Sequence, residues 1–130
     1  MANPNIVSVS SIKGESVGYN LSSTTTTTLL TVASNKVVKV NRITCANVDG
    51  SSAADLSLSV VKANFTPDGI SDFDTSGTFF IAKTVSVPAD ATLVVLDTPI
   101  YLMEGDVLKG GAGAASDLDL IISYESIDDA

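Results

Sequence analysis

The sequence predicts an all-β protein, an antiparallel β-sandwich or barrel of eight or nine short strands. Apolar and polar residues alternate with a period of two in short segments, which Gly, Pro, Asn, Asp and Ser separate. Helix-period patterning is hard to find. The clearest inward-facing rows are Leu56, Leu58 and Val60, and Leu118, Leu120, Ile122 and Tyr124. A chain of 130 residues is long enough for one such domain, burying roughly two thirds of its unfolded surface.

The first part of the chain is predicted to be attached loosely. Residues 1–18 form a possible extended amino-terminal arm, because a strand at Ile6 to Ile12 is flanked by glycines and by Pro4. Residues 19–130 form a single domain. The hydroxyl-rich run Ser22 to Thr28 offers no apolar face, so an edge strand or an exposed loop fits it best. The interaction candidates in these two segments are Asn3, Pro4, Asn5, Ile6, Val7, Thr24 and Thr26.

The apolar alternation changes parity within Val37 to Val48, which predicts a β-bulge near Asn41-Arg42. The residues on the two sides of this change are Val38 and Val40, and Ile43 and Cys45. We expect this strand to bend or to change sheet. The Asp-Gly turn at residues 48–52 then predicts a hairpin with the next strand.

Four further expectations concern the second half of the chain. Residues 64–77 are the longest strand-poor stretch and predict a projecting loop. Leu93 to Leu96 is apolar on both faces, which is typical of a central strand. Gly110 to Ser116 is rich in small residues and predicts a flexible loop. Between the predicted loop and Leu93, the alternation resumes and predicts an inward-facing row of Phe79, Ile81, Val85 and Val87, in which Lys83 is the exception.

Charge and composition bear on the partners. Fifteen acidic residues against seven basic ones give a net charge of -8, which repels nucleic-acid phosphates and anionic lipids. No apolar run approaches the ~20 residues that cross a bilayer, and the amino terminus lacks the features of a signal peptide. A single cysteine excludes an intrachain disulfide. We expect a soluble protein with neither nucleic acid nor membrane as a partner.

The sequence does not point to catalysis. Without histidine, triads and catalytic zinc sites built on imidazole are excluded. Cys45 lies within an apolar alternation and is interpreted as an inert buried thiol. Gly110-Gly-Ala-Gly113 lacks the lysine of a phosphate-binding loop. Turn aspartates are expected to cap backbone groups and face water, namely Asp49, Asp68, Asp90, Asp106 and Asp117. We therefore expect no enzyme, no catalytic residue and no cofactor.

One segment partly matches a metal-binding motif. Residues 72–77, Asp-Phe-Asp-Thr-Ser-Gly, fit the first six positions of an EF-hand calcium loop. The twelfth position, which should be a bidentate glutamate, is Lys83. A polar turn is the simpler interpretation. Asp72, Asp74 and Ser76 remain candidates for a weak, incidental calcium site.

A family resemblance is carried by two stretches and by the end of the chain. The stretches are residues 41–55, Asn-Arg-Ile-Thr-Cys-Ala-Asn-Val-Asp-Gly-Ser-Ser-Ala-Ala-Asp, and residues 81–106, and the end is Ala115 to Ile127. They resemble small virion structural proteins of tailed bacteriophages of marine and cyanobacterial hosts. The resemblance covers roughly residues 36–127, and the amino-terminal third is less familiar. It implies a jelly-roll-like β-sandwich without catalytic residues.

Within a virion, the resemblance is compatible with a capsid decoration (cement) protein on the outer surface of the head, and the small size and acidity of the chain favour this role. Its expected partners are the major capsid protein and its own copies in a homotrimer, after synthesis in the bacterial host cytoplasm. The alternative is a tail, baseplate or fibre component with a receptor- or glycan-binding role. A glycan is the less expected partner, because sugar sites favour aromatic platforms and the chain has no tryptophan.

The predicted strand register can be tested at Leu120, in the middle of the last inward row. Burying a leucine contributes about 1.5–3 kcal/mol, and a carboxylate in its place would be buried without a partner. We expect Leu120→Asp to abolish soluble folding. Normal soluble yield together with an unchanged melting temperature would show that Leu120 does not face the core.

Overall fold

A computed structural model describes residues 9–24, 26–63 and 76–128, which form nine β-strands and no helix. The strands are β1 (Ser11–Asn20), β2 (Thr27–Thr31), β3 (Lys36–Asn47), β4 (Ala54–Lys62), β5 (Gly77–Val87), β6 (Thr92–Leu96), β7 (Ile100–Leu102), β8 (Val107–Ala112) and β9 (Leu118–Asp128). The all-β prediction and the expected number of strands are confirmed.

The strands form two antiparallel sheets, which we call sheet A and sheet B. Sheet A has the order β1-β9-β3-β6, with β7 also paired to β3, and sheet B has the order β2-β8-β4-β5. The pairing is nested: the first strand pairs with the last, β2 with β8, β3 with β6 and β7, and β4 with β5. This is the strand order of a jelly roll, which confirms the predicted jelly-roll-like sandwich.

The core lies between the two sheets. Sheet A contributes Ile43, Leu120 and Ile122, each at most 1% exposed, and sheet B contributes fully buried leucines such as Leu56 and Leu58. Alternate residues of β4 and β9 point inward because successive side chains of a strand lie on opposite faces. Both inward rows predicted from the sequence are confirmed.

The predicted bulge in β3 lies at Asn41. Along the β3–β9 pair, Val40 lies opposite Tyr124 but Arg42 lies opposite Ser123, so one residue of β3 is extra. The extra residue returns the second half of β3 to the core-facing parity, and the residues on both sides of the bulge are buried: Val38, Val40, Ile43 and Cys45. The expected change of sheet is wrong, because β3 pairs with β9 along its whole length.

The predicted hairpin between β3 and β4 is also wrong, because the two strands belong to different sheets. The connection crosses the sandwich and is held by the buried side chain of Asn47. Its amide nitrogen donates to the carbonyl oxygens of Ser52 (3.0 Å) and Val87 (2.9 Å), and its oxygen accepts the amide of Asp49 at 2.9 Å. Turn chemistry predicted the bend, but a local pattern carries no information on which sheet the chain enters next.

Two segments of the second half differ from expectation. Leu93 to Leu96 forms β6 at an edge of sheet A, where Val94 is 42% exposed, so the predicted central strand is wrong. The predicted flexible loop begins only after β8, which ends at Ala112. A Cβ at Gly110 would lie 3.0 Å from Leu29 Cδ1 and 3.2 Å from Leu58 Cδ2. Close packing therefore explains this glycine better than backbone flexibility.

The predicted inward row of β5 is confirmed only in part, because Ile81 packs against the core and Val87 is buried, but the other two members are exposed. Phe79 and Val85 are 40% and 37% exposed, whereas Val87 is fully buried. The β4–β5 pair shifts register twice, between Leu56 and Leu58 and between Leu58 and Ser59. The shifts interrupt the alternation, so Ala82 becomes the buried residue in the middle of β5.

The amino-terminal region begins, within the described residues, with an edge strand. Residues 11–18, which were assigned to the possible arm, belong to β1 and pair with β9. Residues 1–8 lie outside the described residues, so the arm stays a prediction there. The edge-strand interpretation of the hydroxyl-rich run is confirmed for its last two residues, since β2 begins at Thr27 at an edge of sheet B.

The prediction that the turn aspartates cap backbone groups and face water holds for Asp49 and is wrong for Asp106. The amide and hydroxyl of Ser51 both donate to Asp49, which lowers the pKa of this carboxyl group. Asp106 is fully buried, forms an ion pair with Lys62 and accepts the amides of Ala63 (2.9 Å) and Met103 (2.8 Å). The Glu104-Gly-Asp turn is present as predicted, but its aspartate points into the protein.

We expect Asp106→Asn to lower the free energy of unfolding by about 2–4 kcal/mol, because the substitution removes the charge that pairs with the partly exposed Lys62 and one acceptor of a backbone amide. Urea unfolding followed by circular dichroism measures this change. Asp117→Asn, in a half-buried turn, is the matched control and should change stability by less than about 0.5 kcal/mol. Equal stability of the two variants would contradict a structural role for the Asp106 carboxylate.

Candidate functional site

A surface pocket with a volume of about 220 Å³ is a first candidate site. We call it the hydroxyl pocket, because three threonines and a serine line it together with one carboxylate and small residues. Its lining residues are Thr24, Thr26, Asp55, Ser57, Thr84, Gly111, Ala112 and Gly113. They come from the segment before β2 and from β4, β5, β8 and the residue that follows β8.

The pairing of β4 with β8 builds the base of the hydroxyl pocket. Ser57 lies directly opposite Gly111, so one position of the pair carries no side chain and leaves open space. Beyond β8, the amide of Gly113 donates to the Asp55 carbonyl oxygen at 2.7 Å. A Cβ at Gly113 would lie 3.3 Å from both the Cβ and the backbone nitrogen of Asp55. A larger residue at this position would therefore press on β4.

Thr84 gives the hydroxyl pocket one unusual backbone conformation. Its φ of 48° is in the left-handed region, which a β-branched residue rarely adopts. The Thr84 amide donates to the Ser57 hydroxyl oxygen at 3.0 Å. This bond compensates in part for the irregular pairing of β4 with β5 at this point.

The hydroxyl pocket can exchange hydrogen bonds with a polar ligand through four hydroxyl groups and the Asp55 carboxylate. It brings the predicted interaction candidates Thr24 and Thr26 together with Asp55, Ser57 and Thr84. Sequence reasoning missed these last three, because strands distant in the sequence assemble the pocket. Its volume is below the roughly 300 Å³ at which ordinary small-molecule sites begin.

The remaining predicted site residues lie largely outside the described residues. This applies to the calcium candidates Asp72 and Asp74 and to the interaction candidates Asn3, Pro4, Asn5, Ile6 and Val7. Ser76 is described and exposed. Among the described residues, no group of three or more His, Cys, Asp or Glu side chains could hold a metal ion. The calcium site thus stays a prediction.

A second candidate site is the outer edge of sheet A, formed by β1. Every residue of β1 after Ser11 is exposed. Val17 and Tyr19 lie opposite Ile122 and Leu120, whose side chains face the core, so they point to the same side of the sheet. They are nevertheless 39% and 36% exposed. This edge of sheet A therefore carries apolar side chains that the described part of the chain leaves partly exposed.

No helix long and apolar enough to cross a membrane occurs in the part of the chain that the structure describes.

Cys45, the only thiol of the chain, is fully buried in β3. Burial, and to a lesser extent the nearby charge of Asp119, raises its pKa to about 11. The thiol therefore stays protonated at neutral pH and is a poor nucleophile. This supports its interpretation as an inert buried thiol.

We expect Cys45 in the native protein not to react with a disulfide reagent at pH 8, and to react completely in a denaturing concentration of urea. Both burial and the raised pKa keep the thiolate population low at pH 8, and unfolding removes both effects. Absorbance of the released thiolate measures the reaction. Rapid labelling of the native protein would contradict the burial of this side chain.

No family model and no curated protein matches the chain. One similar structure is of Bacillus endospore appendages, a family of disulfide-linked pili, with 8% identity and a TM-score of 0.45 over 92% of this chain and 88% of that chain. Another is the infectious bursal disease virus VP2 subviral particle, with 14% identity and a TM-score of 0.42 over 92% of this chain and 33% of that one. At these values neither likeness indicates the function of this chain.

Proposed function

We propose that this protein is a bacteriophage virion structural protein without enzymatic activity, and that it is a decoration (cement) protein on the outer surface of the head. The observation that carries the proposal is the exposed edge strand β1, whose apolar side chains Val17 and Tyr19 face the core side of the sheet without full cover. Such an edge is a template for adding a further strand. A subunit of an assembly uses this kind of surface.

Charge is compatible with a position on the outside of a head. The net charge of -8 repels DNA phosphates and favours solubility when many copies are crowded together. In the proposed mechanism, the sandwich contacts the major capsid protein and its own copies, while residues 1–8 bridge neighbouring capsid subunits. Many small contacts of this kind would stabilise the shell against internal pressure.

A tail, baseplate or fibre component that binds a receptor glycan is the second candidate. The hydroxyl pocket favours it, because threonine and serine hydroxyls next to the Asp55 carboxylate suit the hydroxyl groups of a sugar. The lining contains no aromatic side chain on which a sugar ring could stack. We therefore rank this role below decoration.

Copy number and occupancy on purified phage particles test the proposal. Decoration predicts hundreds of copies per particle by quantitative mass spectrometry, whereas a tail or baseplate role predicts a few tens at most. We expect deletion of residues 2–8 to reduce occupancy severalfold, because it removes the bridging segment and leaves β1 intact.

Asp55→Ala is the matched control for this experiment, since it alters the hydroxyl pocket and leaves the amino terminus unchanged. Its occupancy should equal that of the unaltered protein, and both variants should keep their melting temperature. A low copy number would exclude decoration. Full occupancy of the shortened protein would exclude residues 2–8 from the contact with the capsid.

A further inference from the structure

We propose that β1 pairs antiparallel with β1 of a second copy about a twofold axis at Gly14, so that the two copies of sheet A join into one continuous sheet. This inference rests on the proposed structural role and identifies the partner of the β1 edge.

Within the described residues, the outer edge of β1 has a row of backbone donors and acceptors with which no strand pairs. The numbers of each pair of opposite residues in β1 and β9 add up to 139. Leu21 and Leu118 continue this register, and the Leu21 amide donates to the Leu118 carbonyl oxygen at 2.9 Å. Odd-numbered residues of β1 therefore direct their backbone groups towards β9, and even-numbered residues direct theirs outward. Within the described ranges no strand pairs with this outward row, whose members are Ile12, Gly14, Ser16, Gly18 and Asn20.

Of the four sheet edges in the described part of the chain, the β1 edge is the most suitable for a further strand. The pairings of β2, β5 and β6 with their neighbours each contain a register shift, and β7 has only three residues. Bulges and short strands are common protections of an edge. β1 pairs with β9 over ten residues without a shift and contains no proline.

Charge complementarity selects the second copy as the occupant and fixes the register. With Gly14 opposite Gly14 of the second copy, Lys13 lies directly opposite Glu15 of the second copy, and the twofold axis repeats this pair. A shift of two residues in either direction places Glu15 opposite Glu15, or Lys13 opposite Lys13, of the second copy. Opposite charges that face each other across strands stabilise the pair, and like charges destabilise it.

The remaining positions of this register fit the pairing. Ile12, Gly14 and Ser16 form the hydrogen-bonded positions, as their outward backbone groups require. A Cβ at Gly14 would meet no atom within 4 Å, so the axis is free of steric obstruction. Val17 lies opposite Ser11 of the second copy, which covers part of its 39% exposed side chain. The pairing thus brings an apolar side chain of β1 under cover.

Sedimentation equilibrium of the full chain tests the pairing, and we expect a concentration-dependent species of twice the 13.3 kDa monomer. Lys13→Glu places like charges opposite each other at two symmetry-related positions and should weaken association about tenfold or more. The double variant Lys13→Glu/Glu15→Lys restores opposite charges and should regain association, although it removes the acceptor of the Tyr124 hydroxyl at 3.0 Å. Lys39→Glu on β3 changes the net charge equally and should associate as the unaltered protein does.

Cysteine cross-linking tests the register. Gly14→Cys should form an intermolecular disulfide under mild oxidation, because hydrogen-bonded partners of an antiparallel pair have Cα atoms about 5.5 Å apart. Ser16→Cys is the control, since residue 16 faces residue 12 of the second copy. Cys45 is buried and does not compete.

Four outcomes would overturn the proposal: a monomer at all concentrations, a trimer, failure of the charge exchange to restore association, or preferential cross-linking through Ser16→Cys. An antiparallel pair of identical strands closes with a twofold axis, so a homotrimer requires another surface. A monomer that still occupies phage heads at high copy number would refute this pairing and leave the proposed decoration role standing.

Discussion

The structure depends on the nested pairing of its strands, and above all on the contact of β3 with β9 in the middle of sheet A. This pair joins Lys36–Asn47 to the last strand of the chain, and both strands bury one face against sheet B. The bulge at Asn41 is essential to the arrangement. Without the extra residue, one half of β3 would turn its apolar side chains outward, because a shift of one residue exchanges the two faces of a strand.

Two buried polar side chains complete the connections between the sheets. Asn47 holds the crossing from β3 to β4, and Asp106 joins the end of β4 to the turn before β8. Both side chains are buried and exchange several hydrogen bonds with backbone groups of neighbouring segments. They also restrict the positions of the segments next to them.

The sequence was informative where the physical cause is local. Alternation predicted the inward rows of β4 and β9, and the change of parity predicted the bulge in β3. It was uninformative where the cause is distant in the chain. Nothing near Asp106 shows that Lys62 and Ala63 will meet it, and nothing near Gly110 shows that Leu29 and Leu58 will press against it. The hydroxyl pocket was missed for the same reason, since only Thr24 and Thr26 stood out locally.

The pairing of β4 with β5 has a consequence for insertions and deletions in the segment that joins the two strands. Lys62 lies directly opposite Gly77, and Asp106 fixes the backbone at Ala63. The register of this hairpin is thus set on both sides of residues 64–75 by contacts that lie outside them. Insertions or deletions between these points cost little closure entropy and leave the sandwich unchanged. Natural relatives can diversify in length here, and an engineer could graft an epitope at this place.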